Sequence, residues 1–226
     1  MTRDQLHIAF KIAMDKNSQS NAFGGCPSFL PEEIDYWFNL AMYQEINTKF
    51  TGNNPSKIAF EGSTKRTHDL EGLIRTDTNV IATKEVNTNR CYVDNLFNDN
   101  RMFFINAIFN FDGNKANVTL INHAVAQKFK KSYNNNPWID TPVASIEDNT
   151  LFIYYDDLTM SASDYSVDIT YVKYPTKIEE LPFEEGMTEI PEYMQHEIVN
   201  RAVELALENI TSNRTQTKLQ INQLDE

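Results

Sequence analysis

Two neighbouring side chains in the last third of the sequence, His196 and Glu197, begin a pattern typical of a zinc-binding helix. That helix carries His-Glu-x-x-His, so that both histidines lie on one face and hold the metal while the glutamate acts as general base. Here the fifth position is Asn200, and asparagine is a poor zinc ligand. We therefore expect no metal at this segment and interpret it as the polar face of an amphipathic helix.

Acidic side chains occur in groups that could bind a cation or exchange protons. Asp156 and Asp157 are adjacent, so on a strand their carboxylates would point to opposite faces and would not converge. The segment 94–100 is acidic enough for calcium, but Leu96 occupies a position that an oxygen ligand would need. Further glutamate pairs lie in an acidic connector, 175–190. We expect all of these groups to be solvated.

Nucleophilic catalysis would need one of the two cysteines, Cys26 or Cys91. Two thiols form neither a disulfide framework nor a four-cysteine zinc site, and they are typical of a reducing compartment. Cys26 follows two glycines in a turn-rich loop, and none of the four histidines is close to it in sequence. A cysteine nucleophile needs a histidine and a positive environment. We therefore predict no catalytic residue and no cofactor, with a small hydrolase using Cys26 and a distant histidine as an alternative.

Charge is distributed unevenly along the 226-residue chain, whose net charge is −12. Residues 1–139 carry 15 basic and 14 acidic side chains, whereas residues 140–226 carry 5 and 18. This distribution argues against a general DNA-coating surface, which needs clustered lysine and arginine to displace counterions. Lys128, Lys130 and Lys131 form one basic cluster. We interpret this cluster as a salt-bridge partner for the acidic half of a neighbouring copy.

The pattern of apolar residues predicts helices towards both ends of the chain and strands in the middle. Apolar stripes and end signals predict helices at 2–16, 31–51, 63–74, 123–132 and 191–210. Runs rich in β-branched and aromatic residues predict strands at 80–85, 90–97, 102–111, 116–121, 142–147, 151–156 and 166–174. Asp112 and Gly113 supply a hairpin turn. The last strand alternates poorly, which favours a strand with two buried faces or one at a sheet edge.

These elements predict an α+β protein. The N-terminal helices and the C-terminal helix are expected to form one helical bundle with an inserted β-rich, sandwich-like region. The predicted boundaries are 1–75 for the N-terminal helical part, 76–178 for the insertion, and 179–226 for the acidic connector and C-terminal helix. The sequence shows neither an apolar run of membrane-spanning length nor an export signal, so we expect no membrane partner and no export.

The order of these segments resembles that of the head-to-tail ring proteins, also called connector or adaptor proteins, of crAss-like tailed bacteriophages. The resemblance covers residues 2–210 and rests on packing patterns, with no catalytic signature. After a short N-terminal helix, its segments are PEEIDYWFNLAMYQEINTKFTG, FEGSTKRTHDLEGLIRT, a β-rich middle containing NNPW, VDITYVKYPTKI and IPEYMQHEIVNRAVELALENI.

This resemblance implies a structural virion protein that assembles in the bacterial host cytoplasm and forms a ring, commonly of twelve copies, below the portal. Its partners would be other copies of itself, the portal protein and adjacent ring or tail proteins, while DNA passes through the channel without sequence-specific binding. It implies no cofactor and no catalysis. Residues of the final helix would then be candidate contacts with a neighbour: Tyr193, Ile198, Val199, Val203 and Leu207.

Two questions stay open at the level of sequence. The acidic half would face either a neighbouring subunit or the channel, where it would repel DNA phosphates. Another tail component, such as a tail hub or completion protein, is an alternative to the ring. A host-encoded carbohydrate-binding or lipoprotein-like module is a further one, which the missing export signal disfavours.

Overall fold

The computed structural model describes residues 1–17, 29–53, 57, 59–85, 90–97, 100–111, 113–131, 137–156, 165–181 and 186–210. Within these ranges the chain is a mixed α+β protein, as the sequence predicts, and it divides into two compact units. The helical unit comprises Met1–Leu73 and the described part of Pro175–Glu226, and the sheet unit comprises Ile74–Tyr174. The sequence places the corresponding boundaries at 75 and 178.

Five α-helices occur in the described residues: α1 (Arg3–Asn17), α2 (Pro31–Thr51), α3 (Thr64–Leu70), α4 (His123–Lys131) and α5 (Glu192–Ile210). Short 3-10 turns lie at Phe60–Gly62, Glu71–Leu73 and Ile178–Glu180. The helix predicted at 63–74 is therefore shorter than expected, because the chain tightens after Leu70 and begins a strand at Ile74. Gly72 lies in this turn against the backbone of Glu189, where a Cβ would sit 2.1 Å from the carbonyl oxygen.

Helix α2 begins and ends at signals that are visible in the sequence. Pro31 is its first residue, and the side chain of Glu33 accepts a hydrogen bond from the backbone N–H of Leu30 at 2.9 Å. Gly52 follows the helix with φ 78°, a left-handed conformation that glycine adopts without strain, and its N–H donates to the carbonyl of Thr48. The length of α2 therefore follows from local chemistry.

The core of the helical unit lies where α5 packs against α1 and α2. The ring of Phe10 from α1 meets that of Phe38 from α2 edge-on, with centroids 5.8 Å apart. These helices bury apolar side chains at three- and four-residue spacing, which include Leu6, Phe10, Met14, Ile34, Phe38, Met42, Ile46, Met194, Ile198 and Ala202. The stripes that the sequence predicts for α1 and α2 thus face the core.

The sheet unit contains eight strands: β1 (Ile74–Lys84), β2 (Arg90–Val93), β3 (Arg101–Phe111), β4 (Asn114–Asn117), β5 (Thr119–Leu120), β6 (Val143–Glu147), β7 (Thr150–Tyr154) and β8 (Tyr165–Lys173). They form one sheet in the order β4-β3-β8-β1-β2-β7-β6-β5. All neighbouring strands run antiparallel except β5 and β6, which are parallel.

The two edge strands of this order are consecutive in the sequence, and they nearly close the sheet. β4 ends at Asn117 and β5 begins at Thr119. Between them, the N–H of Val118 donates to the carbonyl of Ala107 in β3, while the N–H of Thr119 donates to Pro142 just before β6. The strand predicted at 116–121 is therefore divided, and a single nearly closed sheet replaces the expected sandwich-like arrangement.

Strand β8 lies in the middle of the sheet, between β3 and β1. The expectation of two buried faces is confirmed and that of an edge position is wrong, because the strand pairs on both sides. Inside the sheet, the rings of Phe109, Tyr155 and Tyr165 lie 5.2–5.3 Å apart between centroids. This aromatic cluster accounts for three of the phenylalanines and tyrosines in the middle of the sequence.

Candidate functional site

The five α5 residues proposed as contacts fall into two groups. Ile198, Val199 and Val203 are at most 4% exposed, because they pack inside the helical unit. Tyr193 is 38% exposed and Leu207 is partly exposed. Buried side chains of a single chain are core residues, so the candidate contact on α5 narrows to Tyr193 and Leu207.

The hydroxyl of Tyr193 points inward, towards a buried group of charges. It donates a hydrogen bond to Oδ1 of Asp69 at the end of α3, whose side chain has no exposed surface. The ammonium of Lys49, near the end of α2, lies 3.2 Å from Oδ2 of Asp69 and 2.7 Å from Oε2 of Glu197 on α5. Three helices are thus joined by one buried cation and two carboxylates.

The two carboxylates compensate the buried positive charge of Lys49, and the guanidinium of Arg66 lies 3.7 Å from Oδ2 of Asp69. Lys49 is 3% exposed, and a buried ammonium without carboxylate partners would be strongly destabilising. Partial burial and the neighbouring Asp69 raise the pKa of Tyr193 to about 12, so the phenol keeps the proton that it donates at neutral pH. Burial also raises the pKa of Glu45 on the adjacent turn of α2. We interpret the cluster as structural.

The exposed side of Tyr193 is flanked by two basic side chains of α3. The ring stacks on that of His68 with centroids 6.3 Å apart, and the ammonium of Lys65 lies 5.8 Å from the ring centre. Because its hydroxyl is hydrogen-bonded to Asp69 and a cation lies beside its ring, Tyr193 presents a fixed aromatic surface. This arrangement fits a residue that supports the core and also contacts a partner.

A second candidate surface surrounds α4, which carries the basic cluster predicted from the sequence. Ala126 is buried as α4 packs on β6, and Lys128 is exposed. Lys130 and Lys131 occupy the last two positions of α4, and their side chains lie outside the described residues. The structure therefore places all three lysines on one short helix and assigns an exposed position to Lys128.

Other motifs considered in the sequence have structural surroundings. His196 and Asn200 are exposed, and Glu197 binds Lys49. Within the part of the chain that the structure describes, no group of three or more His, Cys, Asp or Glu side chains could hold a metal ion. Cys91 is fully buried, and this burial raises the pKa of its thiol to about 12. Cys26 lies outside the described residues.

Two buried charges of the sheet unit also stabilise local structure. Arg101, at the start of β3, binds Asp77 and donates a hydrogen bond to the carbonyl of Leu96 at 3.0 Å, while its guanidinium lies 5.0 Å from the ring centre of Tyr171. This arginine fixes the turn between β2 and β3, which includes part of the segment that the sequence suggested for calcium.

Asp168 in β8 has the same structural role at a bulge in β1. Its carboxylate accepts hydrogen bonds from the backbone N–H of Asn79 at 2.9 Å, from Asn110 at 2.9 Å and from Lys115 at 3.0 Å. Asn79 has φ 56°, and the register between β1 and β8 shifts at this position. The hydrogen bond from Asn79, together with those from Lys115 and Asn110, lowers the pKa of Asp168.

Several apolar side chains of the helical unit are exposed at positions for which the sequence predicts no contact. Ile8 and Ile12 on α1 are 58% and 53% exposed, and Leu30 and Tyr36 at the start of α2 are 64% and 59% exposed. The two isoleucines are four residues apart, on the side of α1 opposite the buried stripe. The two isoleucines lie outside the buried stripe, and their spacing in the sequence indicates a second apolar face on α1.

The helical unit also has a cleft, which is lined by Met42 of α2 and by residues of the connector, among them Pro175, Leu181, Met187 and Ile190. Its acidic residues include Glu180 and Glu189, and the latter accepts hydrogen bonds from Thr176. We interpret this cleft as a packing defect between helix α2 and the irregular connector.

Comparisons with known proteins identify no family for this chain. No model of a known protein family matches the chain, and no curated protein is detectably similar to it in sequence. Among the described residues, no helix combines the length and the apolar character that crossing a membrane requires.

Proposed function

We propose that the protein is a structural virion protein that forms an oligomeric ring in a phage head-to-tail connector. In this proposal the ring docks to the portal or to a neighbouring ring and leaves a channel for DNA. The observation that carries the proposal is the way the chain is assembled. Segments before residue 74 and after residue 174 combine into one helical unit, and the sheet unit is inserted between them. This is the order of segments on which the resemblance to connector proteins depends.

The helical unit serves in this proposal as the helical bundle that the sequence predicts. Its charged core residues Lys49 and Asp69 join helices, and the buried charges Arg101 and Asp168 of the sheet unit fix turns and a bulge. These four charged side chains therefore stabilise the fold. The exposed apolar side chains are then the features available for contacts with partners.

The fold changes the interpretation of the charge. The sheet unit, residues 74–174, holds 9 basic and 12 acidic side chains, so it accounts for −3 of the net charge and the rest of the chain for −9. The division at residue 139 exaggerates the contrast, because acidic C-terminal segments fold together with the N-terminal helices. The negative unit is the helical one, and it is suited to face a basic surface of a neighbour or to repel DNA.

Electron microscopy tests the proposal. The purified protein, and particles that contain it, should show a ring with a central channel, and tagging the protein should place it at the head-to-tail junction. Sixfold or threefold density further along the tail would favour a tail component instead. A protein that is monomeric in solution and missing from particles would contradict the proposal. A Cys26→Ala variant that assembles normally would dispose of the hydrolase alternative.

A further inference from the structure

The surface around α4 combines exposed apolar side chains with positive charge. Leu120 ends β5, and Val125 and Lys128 lie on α4, while Trp138 is 76% exposed. We call these four residues the basic apolar patch. Each belongs to an element beside β6: β5 pairs with it, α4 packs on it, and Trp138 begins the turn that leads into it, with its carbonyl accepting the N–H of Thr141.

The basic apolar patch lies in a stretch of the sequence that is free of negative charge. Residues 113–139 contain four lysines and no acidic residue, although the chain as a whole carries −12. An exposed tryptophan is typical of the centre of an interface, and a lysine on the same surface favours an acidic partner. The occupant should therefore offer apolar and acidic side chains together.

The helical unit of the same protein offers such a surface at the start of α2. Leu30 and Tyr36 are exposed there, and Glu32 lies four residues before Tyr36 on the same face of the helix. We call these three residues the acidic apolar patch. The hydrogen bond to Asp35, and then the negative charges of Asp35, Glu32 and Asp4, raise the pKa of Arg3, which places further acidic character beside α1. The helical unit carries −9 in total.

We propose that the basic apolar patch of one copy binds the acidic apolar patch of the next copy. This inference rests on the proposed ring function and supplies its subunit contact. Because the two patches differ, the contact is heterologous, which is the kind that can generate a closed ring. Trp138 and Tyr36 provide the apolar centre, and Lys128 and Glu32 provide charge complementarity.

Nucleic acid is the other ligand that a surface with basic and aromatic side chains can bind. The small number of basic side chains favours the second copy, since a phosphate backbone needs clustered lysine and arginine, whereas a second copy also offers apolar side chains to Trp138. In a second copy, Glu32 of the acidic apolar patch offers an exposed carboxylate to Lys128. The contact should therefore weaken at high salt.

The test uses two double variants of the full chain, each of which removes one patch. Lys128→Glu with Trp138→Ser removes the basic apolar patch, and Glu32→Lys with Tyr36→Ser removes the acidic one. Lys177→Glu, at an exposed lysine of the helical unit, is the matched control for a charge reversal. Circular dichroism establishes that each variant is folded, and analytical ultracentrifugation measures its assembly.

We expect each double variant alone to be monomeric, with at least about a tenfold loss of self-association, while the control assembles like the wild type. A mixture of the two double variants should form a 1:1 dimer that grows no further, because one intact basic patch meets one intact acidic patch. That result cannot arise from a general loss of stability.

Three outcomes would overturn the inference. If both double variants still form rings, the subunit contact lies elsewhere, and the proposed ring function stands. If they form rings but the Lys128→Glu variant loses retention on duplex DNA, the patch is a nucleic-acid site. If the wild type is itself monomeric and missing from particles, the ring function fails together with the contact.

Discussion

The phenol of Tyr193 donates its hydrogen bond to Asp69, a carboxylate that has no exposed surface. The two residues come from different helices, α5 and α3, and the same carboxylate lies 3.2 Å from the ammonium of Lys49 on α2. Tyr193 therefore connects the exposed surface of the helical unit with its charged core. A substitution at this position changes both, so the hydroxyl and the ring have to be tested separately.

Tyr193→Phe tests the hydroxyl alone. The substitution keeps the ring but removes the donor to Asp69, which leaves a buried carboxylate oxygen without that hydrogen bond. We expect the free energy of unfolding to fall by about 1–3 kcal/mol, as measured by urea denaturation.

Tyr36→Phe is the matched control at protein concentrations where the subunits are dissociated, since Tyr36 is 59% exposed in the single chain and a surface substitution changes stability by less than about 0.5 kcal/mol. Equal stability of the wild type and Tyr193→Phe would show that the hydrogen bond contributes nothing. Unchanged assembly together with reduced stability would assign the hydroxyl to the core and leave only the ring for a contact.

Asp168→Asn tests the support of the β1 bulge, and its effect should depend on pH. The pKa of Asp168 is lowered in the folded protein, so its charged form stabilises the fold above the ordinary aspartate pKa of about 4. That contribution is lost as the pH falls through the lowered pKa. The variant should be less stable than the wild type at pH 7, and the difference should shrink below about pH 4.

Urea denaturation at a series of pH values measures this difference. Asp140→Asn is the control, because Asp140 is exposed, and its stability should follow that of the wild type at every pH. A stability difference between Asp168→Asn and the wild type that stays constant across this range would contradict the electrostatic role.

The ends of the long helices could be predicted because the signals are local. Pro31 and Gly52 mark α2 within a few residues of the chain, and the helix predicted at 191–210 is observed as Glu192–Ile210. The partners of the strands depend on residues far away in the sequence. Nothing near Val118 indicates that the chain passes there from one edge of the sheet to the other.

The candidate contacts were harder to predict for a related reason. An apolar residue on a helix has the same appearance in the sequence whether it faces its own core or a partner. Ile198 and Val203 are core residues, whereas Ile8 and Ile12 are exposed. Only the number of neighbouring elements around each helix distinguishes these cases, and that number is a property of the tertiary structure.

Gly72→Ala tests the close approach between the 3-10 turn after α3 and the connector. A Cβ at this position would lie 2.1 Å from the carbonyl oxygen of Glu189, so the backbone has to move. We expect a loss of about 1–3 kcal/mol or more in the free energy of unfolding. Gly113→Ala is the control, since it has φ 78° but no atom within 4 Å of a Cβ. The positive φ of Gly113 alone costs about 1–2 kcal/mol, so a Gly72→Ala variant that lost less stability than that would show that the steric explanation is wrong.

Cys91 should be inert while the protein is folded. It has no exposed surface, and burial raises the pKa of its thiol to about 12, whereas alkylation requires the thiolate. In a Cys26→Ser background, iodoacetamide at pH 8 should label Cys91 only as fast as the sheet unit unfolds, and urea should make the labelling complete. Mass spectrometry measures the labelled fraction over time. Stoichiometric labelling within minutes, at a urea concentration where circular dichroism shows a folded protein, would contradict this prediction. It would place the thiol at an accessible surface, where it could act as a nucleophile.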